Sequence, residues 1–248
     1  MRQAAAVVTG AGGAIGSAIC ARLGSSGYHV VGVDHKATGN ESVSSFIRLD
    51  LQELSRSSAE EISEYKNTLL DAIGEERSLQ LLVNNAATQR ISPFAELSIE
   101  DWRSSLDVNL TGPFLLCQIL LAQLAKHNGS IVNVGSIHSY LTKPGFVAYA
   151  TSKAALEGFT QALAVEVGKD VRVNSILPAA VDTPMLRAGF DDDKAVETLS
   201  AYHPSGSIAS AKEIAEMVLW LSMSKLKTMN GASIRADGGI GSRLHDPY

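Results

Sequence analysis

Short runs of β-branched and aliphatic residues recur along the chain, and stretches with helical periodicity separate them. The runs cover Ala5 to Val8, Val30 to Val33, Leu79 to Val83, Ser130 to Val134, Val171 to Ile176 and Ala232 to Arg235, with a further one at Phe46 to Asp50. Continuous apolar strands that alternate with helices are typical of a parallel sheet that is buried on both faces. The pattern therefore predicts an α/β fold, a doubly wound parallel sheet of seven strands with helices on both faces.

Start and stop signals place one long helix between the fourth and fifth strands. Ser98 and Asp101 resemble a capping box that opens a helix toward Lys126, and Gly129 is a plausible stop signal. The segment from Pro178 to about Ser210 carries three prolines and has the weakest periodicity of the chain. No repeat or linker interrupts the pattern, so we expect one domain over residues 1–248.

Composition and charge favour small ligands over large ones. The chain has 248 residues, of which 45% are hydrophobic, a net charge of −5, and basic residues that are scattered singly. Neither nucleic acid nor an anionic membrane surface is therefore an expected partner. Cys20 and Cys117 lie in apolar helical stretches, which predicts buried thiols. With no signal-peptide core and no run of 18 uncharged apolar residues, we expect a cytoplasmic protein.

A glycine turn follows the first strand directly. It reads Thr9-Gly10-Ala11-Gly12-Gly13-Ala14-Ile15-Gly16 and opens a helix that runs through Cys20 to Leu23. A strand, a glycine turn and a helix in this order form a cradle for the pyrophosphate of a dinucleotide, because the backbone is accessible and the helix N-terminus favours anions. The predicted contacts are Gly10, Gly13, Ala14, Ile15 and Gly16.

Asp34 ends the second strand, 18 residues beyond Gly16. A carboxylate at this spacing can accept hydrogen bonds from the adenosine ribose hydroxyls and repels a 2′-phosphate. We therefore expect NAD as the cofactor. The adjacent His35 and Lys36 leave NADP open as an alternative.

Tyr149 and Lys153 stand four residues apart, which places both side chains on one face of a helix. A cation about 4 Å from a phenol interacts with it by roughly 4 kcal/mol at an effective dielectric constant near 20, which corresponds to a pKa lowered by up to about three units. The pair can therefore act as an acid-base catalyst.

Together these motifs resemble the short-chain dehydrogenase/reductase family over the whole chain. The resemblance rests on the glycine turn, on Asn84-Asn85-Ala86-Ala87 after the fourth strand, on Ser136 after the fifth, and on the Tyr149/Lys153 pair, all in the family's order. Ala14, Ala87 and Ala179 each replace a glycine of the family pattern by one methyl group. The resemblance implies a Rossmann-type fold and a homotetramer formed through the long helices and the last strand.

The resemblance also assigns roles to particular residues. It implies a catalytic set in which Tyr149 exchanges a proton with the substrate oxygen, Ser136 holds that oxygen, Lys153 binds the nicotinamide ribose, and Asn109 disturbs its helix and holds a water of the proton relay. The further implied cofactor contacts are Asp50, Leu51, Asn85, Ala86, Tyr149, Lys153, Val181 and Thr183. A substrate lid is expected at about 183–210.

Candidate substrate contacts come from segments that follow the strands. They are Gln89, Ser136, His138, Phe146 and Met185. A histidine and a glutamine beside aromatic groups would suit a hydroxylated or sugar-like substrate, whereas His203 and His245 have no partner at metal-ligand spacing. We expect an NAD(H)-dependent oxidoreductase that interconverts a secondary alcohol and a ketone. The alternatives are an NADPH-dependent carbonyl reductase, a non-catalytic dinucleotide-binding regulatory protein, and a lyase on the same fold.

Overall fold

The computed structural model describes residues 2–36, 41–187, 193–223 and 227–244, with the side chains at 185 and 193 excepted. The strands within these ranges are β1 (Ala4–Thr9), β2 (His29–Asp34), β3 (Ser45–Arg48), β4 (Ser78–Asn84), β5 (Ser130–Val134), β6 (Arg172–Pro178), β7 (Val181–Asp182), β8 (Ala209–Ser210) and β9 (Ser233–Ala236). The helices are α1 (Ala14–Ser25), α2 (Leu51–Leu54), α3 (Ala59–Ile73), α4 (Ile99–Leu106), α5 (Gly112–Lys126), α6 (Val147–Val167), α7 (Pro184–Arg187), α8 (Asp193–Tyr202) and α9 (Ala211–Met223).

Seven strands form one parallel sheet in the order β3-β2-β1-β4-β5-β6-β9. The doubly wound Rossmann-type fold predicted from the sequence is confirmed. The third strand is shorter than predicted and ends at Arg48, because Asp50 leaves the sheet to cap α2 and accepts a hydrogen bond from the Gln52 N–H. The strand order reverses between β1 and β4, and this reversal opens a crevice at the carboxyl ends of the strands.

Side chains of alternate residues in each strand reach opposite faces of the sheet. Ala5 and Val7 of β1 belong to a core cluster with α3, α5 and α6, whereas Ala6 and Val8 belong to a second cluster with α1 and α9. The uninterrupted apolar pattern of β1 follows from this double burial. Cys20 and Cys117 are buried free thiols, as the sequence predicts.

The long predicted helix is interrupted near its middle. Ser98 caps α4 by accepting a hydrogen bond from the Asp101 N–H, and a π-helical turn over Asp107–Thr111 joins α4 to α5. The combined helix Ile99–Lys126 is long and apolar enough to cross a membrane, but half of its most apolar window is buried inside the fold. We therefore interpret it as a helix of the protein core.

The end of α5 differs from the sequence-based expectation. Asn128 supplies the left-handed residue with φ 51°, so the stop does not depend on the conformation of Gly129. A Cβ on Gly129 would instead lie 2.8 Å from Leu124 Cδ2, which shows that close packing excludes a side chain there.

The segment from Pro178 to Ser210 is more regular than predicted. It contains the two-stranded sheet of β7 and β8 and the helices α7 and α8. Residues 188–192 of the expected lid lie outside the described residues, as does His245. The lid itself stays a prediction.

Candidate active site

The glycine turn brings the start of α1 against the loop that follows β4. Gly10 has φ 67°, and a Cβ there would lie 2.8 Å from Asn85 Nδ2. A Cβ on Gly16 would lie 1.9 Å from the Gly10 carbonyl oxygen. Both positions therefore require glycine, whereas Ala14 is exposed at the first turn of α1, where its methyl group is tolerated. The free N–H groups at the start of α1 fit the pyrophosphate of a dinucleotide.

Thr9 holds the turn and the β4 loop together. Its hydroxyl oxygen accepts hydrogen bonds from the N–H groups of Asn85 and Ala86, each at 3.0 Å. Asn85 Nδ2 donates in return to the Thr9 carbonyl oxygen at 2.9 Å. The Asn85 side chain is thus engaged with the turn itself. Sequence reasoning assigned no site role to Thr9, although its place at the head of the glycine motif was a usable signal.

The Asp34 side chain is nearly buried and already has three contacts with polar groups of the protein. Oδ2 accepts a hydrogen bond from the Gly12 N–H at 3.0 Å, Oδ1 accepts one from the Lys36 N–H at 3.1 Å, and His35 Nδ1 lies 3.0 Å from Oδ1. A carboxylate offers about four acceptor positions. For both ribose hydroxyls to bind, one of these contacts must open, and the exposed His35 side chain is the one that can leave.

An arginine lies beside this carboxylate, which the sequence did not reveal. Arg48 of β3 is the parallel-strand partner of Asp34, and its Nε donates to the His35 carbonyl oxygen at 3.3 Å. Both His35 and Arg48 line a cavity of about 180 Å³ together with Asp50. Arg48 therefore places a positively charged side chain on the strand next to Asp34, which the sequence alone did not indicate.

The remaining predicted cofactor residues also cap helices or pack in the core. Asp50 caps α2, and Leu51 is buried in the core next to Gly112. Val181 is buried in β7, and the Thr183 hydroxyl accepts a hydrogen bond from the Leu186 N–H at 3.2 Å at the start of α7. This hydrogen bond shows that Thr183 caps α7. Its predicted contact with the carboxamide group of the nicotinamide stays a prediction.

Lys153 is a fully buried cation on α6. Its Nζ donates to the Val134 carbonyl oxygen at 2.7 Å and lies 5.8 Å from the centre of the Tyr149 ring. Burial lowers the pKa of the Lys153 ammonium to about 8, and the negative charge of Glu157 acts in the opposite direction. The two predicted catalytic residues thus share one helix face, as their spacing requires.

Burial raises the pKa of the Tyr149 phenol, and a hydrogen bond from the Ser136 hydroxyl lowers it. The sequence-based expectation of a lowered Tyr149 pKa is wrong for this structure, because burial outweighs the effects that lower this pKa. The phenol is therefore held in its protonated form. That form can donate a proton to a carbonyl oxygen.

Asn109 lies in the π-helical turn and is completely buried. Its Oδ1 accepts from the Thr88 N–H, and its Nδ2 donates to the Thr88 carbonyl oxygen and to Ser152 Oγ. The predicted disturbance of the helix at Asn109 is present. Thr88 and Ser152 were missed by sequence reasoning, although Ser152 stands between the two residues of the catalytic pair.

His138 and Phe146 line the same space as Tyr149. The His138 ring stacks on Phe146 with a centroid distance of 4.4 Å and meets the Tyr149 ring edge to face at 5.6 Å. Burial lowers the pKa of His138 to about 4, with a contribution from the charge of Lys143. The imidazole is therefore neutral near pH 7. Its Nδ1 is bonded to Thr142 Oγ1 at 3.0 Å.

The other two candidate substrate residues, Gln89 and Met185, lie on separate segments of the chain. Gln89 is exposed on the loop that Asn109 holds through Thr88. The backbone of Met185 lies in α7, and its side chain lies outside the described residues.

Comparisons with known proteins cover nearly the whole chain. Residues 10–241 match the family described as enoyl-(acyl carrier protein) reductase. The chain is 34% identical to D-threitol dehydrogenase of Mycolicibacterium smegmatis, over 94% of this chain and 91% of the relative. It is 30% identical to 3beta-hydroxysteroid dehydrogenase 1 of Eggerthella lenta, over 94% and 92% of the two chains.

A solved structure is also similar over its full length. It comes from Agrobacterium tumefaciens, contains bound NADP, and superposes with a TM-score of 0.84 at 27% identity, over 98% of both chains.

Proposed function

The chain belongs to the short-chain dehydrogenase/reductase family, and from this premise we propose that it is an NAD(H)-dependent oxidoreductase that interconverts a secondary alcohol and a ketone. The observation that carries the proposal is that Ser136 and Lys153 both approach Tyr149 at the carboxyl end of β5. Both named relatives are dehydrogenases, which supports an oxidoreductase that acts on alcohol groups.

Each of the three residues has one task in the proposed reaction. When bound, the nicotinamide would supply or accept the hydride. Tyr149 donates its phenolic proton to the carbonyl oxygen in reduction and takes the proton back in oxidation. Ser136, which already bonds to Tyr149, holds the same oxygen and orients it. Lys153 provides the positive charge that favours the phenolate during oxidation and a donor for the ribose hydroxyls.

The proposed substrate is small and hydroxylated or sugar-like. The stacked His138 and Phe146 rings present one polar edge and one apolar face beside Tyr149. A neutral imidazole can donate or accept one hydrogen bond, as recognition of a neighbouring hydroxyl group requires. The similarity to D-threitol dehydrogenase supports a polyol substrate. The similarity to a hydroxysteroid dehydrogenase favours a larger, apolar alcohol as the second candidate.

NAD is the proposed cofactor because the Asp34 carboxylate would face the adenosine ribose. A 2′-phosphate placed beside it would meet a negative charge, and a hydroxyl hydrogen bond would be lost. Arg48 and the NADP bound in the Agrobacterium structure favour the alternative. Affinities for NADH and NADPH measured side by side distinguish the two.

A homotetramer is the proposed assembly. Apolar side chains are exposed on the outer helices, namely Phe114 of α5, Val165 of α6, and Trp220 and Met223 of α9. Strand β9 ends the seven-stranded order, so its outer edge can pair with another chain. Light scattering coupled to gel filtration tests this proposal: a mass near 26.2 kDa would contradict it.

The experiment that tests the function is a panel of alcohols. Polyols, aldoses, hydroxy acids and hydroxysteroids are incubated with the protein and NAD⁺ or NADP⁺, and reduced cofactor is followed by its absorbance. We expect NADH to form with a polyol or an aldose. Absence of turnover across the panel with both cofactors would contradict the proposed function.

A further inference from the structure

Glu157 lies on α6 one helical turn after Lys153. Its Oε2 accepts hydrogen bonds from the hydroxyl groups of Ser175 at 2.7 Å and Ser233 at 2.5 Å. These serines are partners in the β6 and β9 register. The other carboxylate oxygen, Oε1, is buried and has no hydrogen-bond partner among the described residues.

The unpartnered oxygen lies next to the residue that precedes Ser136. A Cβ on Gly135 would be 2.7 Å from Glu157 Oε1, so the carboxylate packs against the backbone of that residue. Gly135 stands between Val134, whose carbonyl oxygen accepts from Lys153 Nζ, and Ser136. Glu157 and Lys153 are therefore close both along the helix and through the end of β5.

The serine contacts do not explain why this residue carries a charge. Two hydroxyl donors need only an acceptor oxygen, which the amide of a glutamine would also provide. A carboxylate that buries one oxygen without a hydrogen-bond partner loses hydration there, and a nearby opposite charge offsets this cost. The buried ammonium of Lys153, one turn away, is that opposite charge.

We propose that Glu157 is a positioning residue of the proposed reaction, the half-buried counter-charge that keeps Lys153 protonated beside Tyr149. The inference rests on the proposed function. Among the described residues, Lys153 Nζ donates to a neutral carbonyl group, and Glu157 is the charged residue that opposes the effect of burial on it. Loss of the ammonium charge would remove both the electrostatic support of the phenolate and the ribose donor.

The direct test follows the titration of Lys153 by NMR. The protein is labelled with ¹³Cε-lysine, the Lys153 resonance is assigned from its absence in Lys153→Met, and midpoints are compared between wild type and Glu157→Gln. The midpoint should fall by about one pH unit in the variant, because a charge interaction one helical turn away is lost. The matched control is Glu166→Gln, which removes an exposed carboxylate from the same helix and should leave the midpoint unchanged.

A second variant separates charge from packing. Ser175→Ala keeps the carboxylate but removes one of its anchors, so the Lys153 midpoint should stay within about 0.3 units of wild type. If Ser175→Ala lowers the midpoint as much as Glu157→Gln, or if folded Glu157→Gln leaves it unchanged, the proposal is overturned. If Glu157→Gln does not fold, Glu157→Met takes its place, because it removes the same charge and keeps a side chain of similar length. An unchanged Lys153 midpoint in folded Glu157→Met would then overturn the proposal.

Turnover gives the functional readout. In the oxidation direction, the alkaline limb of the rate profile should move to lower pH in Glu157→Gln and stay in place in Glu166→Gln. A wild type without turnover, combined with a shifted Lys153 midpoint in Glu157→Gln, would contradict the proposed function while the charge coupling stands. An unshifted midpoint and an unshifted limb in an active enzyme would overturn the role of Glu157.

Discussion

Asn109 binds the backbone of Thr88 at both of its polar groups. The Asn109 Oδ1 accepts from the Thr88 N–H at 2.8 Å, and Nδ2 donates to the Thr88 carbonyl oxygen at 2.9 Å. The same Nδ2 donates to Ser152 Oγ at 2.9 Å, and Ser152 Oγ donates to the Tyr149 carbonyl oxygen at 2.7 Å. One buried amide thus joins the loop after β4 to the helix that carries Tyr149 and Lys153.

Replacement of this amide should misplace the catalytic helix. Asn109→Leu removes three hydrogen bonds and leaves both Thr88 groups unpaired, so we expect turnover to fall by roughly 10- to 100-fold. Steady-state kinetics measure the loss. Asn67→Leu, at an exposed position of α3, is the control and should retain its rate. Unchanged turnover in folded Asn109→Leu would show that the amide does not position the site.

Lys153→Met should affect both chemistry and cofactor binding. The substitution removes the cation near Tyr149 and the proposed ribose donor, so turnover should be largely lost and NADH should bind at least about tenfold more weakly. Fluorescence titration with NADH measures the second effect. The exposed Lys169→Met should bind NADH as wild type does. If Lys153→Met binds NADH with wild-type affinity, Lys153 does not bind the ribose and acts only through its charge near Tyr149.

His138 should make the fold sensitive to acid. Its pKa is about 4 in the folded protein and near 6.5 in the unfolded chain, so the unfolded chain binds the proton more readily between these values. The stabilisation is present above pH 6.5 and is lost as the pH falls toward 4. Between pH 7.5 and 4.5, wild type should lose about 1 to 2 kcal/mol more of its free energy of unfolding than His138→Gln. Urea unfolding at the two pH values measures this, and an equal loss in both proteins would contradict the assignment.

Asp34→Ala should reduce the preference for NADH over NADPH. Wild type should bind NADH about 10- to 100-fold more tightly, because the carboxylate accepts ribose hydroxyls and repels a 2′-phosphate. The variant also loses the bond to the Gly12 N–H, so both affinities should fall and the ratio is the informative quantity. Calorimetric titration gives all four dissociation constants. Equal wild-type affinities would show that Arg48 or His35 governs the site.

The centre of the sheet could be predicted from the sequence because β1, β2, β4, β5 and β6 are buried on both faces, which leaves a continuous apolar pattern. The edge strands β3 and β9 are only partly buried, and their short runs of β-branched and aliphatic residues still predicted them. The short strands β7 and β8 were missed because two paired residues leave no periodicity to detect.

Residues of the candidate site could be predicted only where they belong to a short motif that can be recognised in the sequence. Tyr149, Lys153 and Asn109 were found by spacing and resemblance, but the partner of each depends on tertiary folding. The pairing of Arg48 with Asp34 and the packing of Glu157 against Gly135 arise between segments that are distant in the sequence. The direction of the Tyr149 pKa was wrong for the same reason, because burial cannot be read from a four-residue spacing.

The most direct test of the proposed mechanism compares the rate of NADH formation between wild type and Tyr149→Phe, with the alcohol of the panel that reacts fastest as substrate. The substitution keeps the ring that packs against His138 and removes only the hydroxyl group to which we assign proton transfer. Turnover should fall by roughly 10² to 10⁴ while NADH binds with wild-type affinity, as the loss of a general acid-base catalyst requires. Near-normal turnover in Tyr149→Phe would contradict the proposed mechanism.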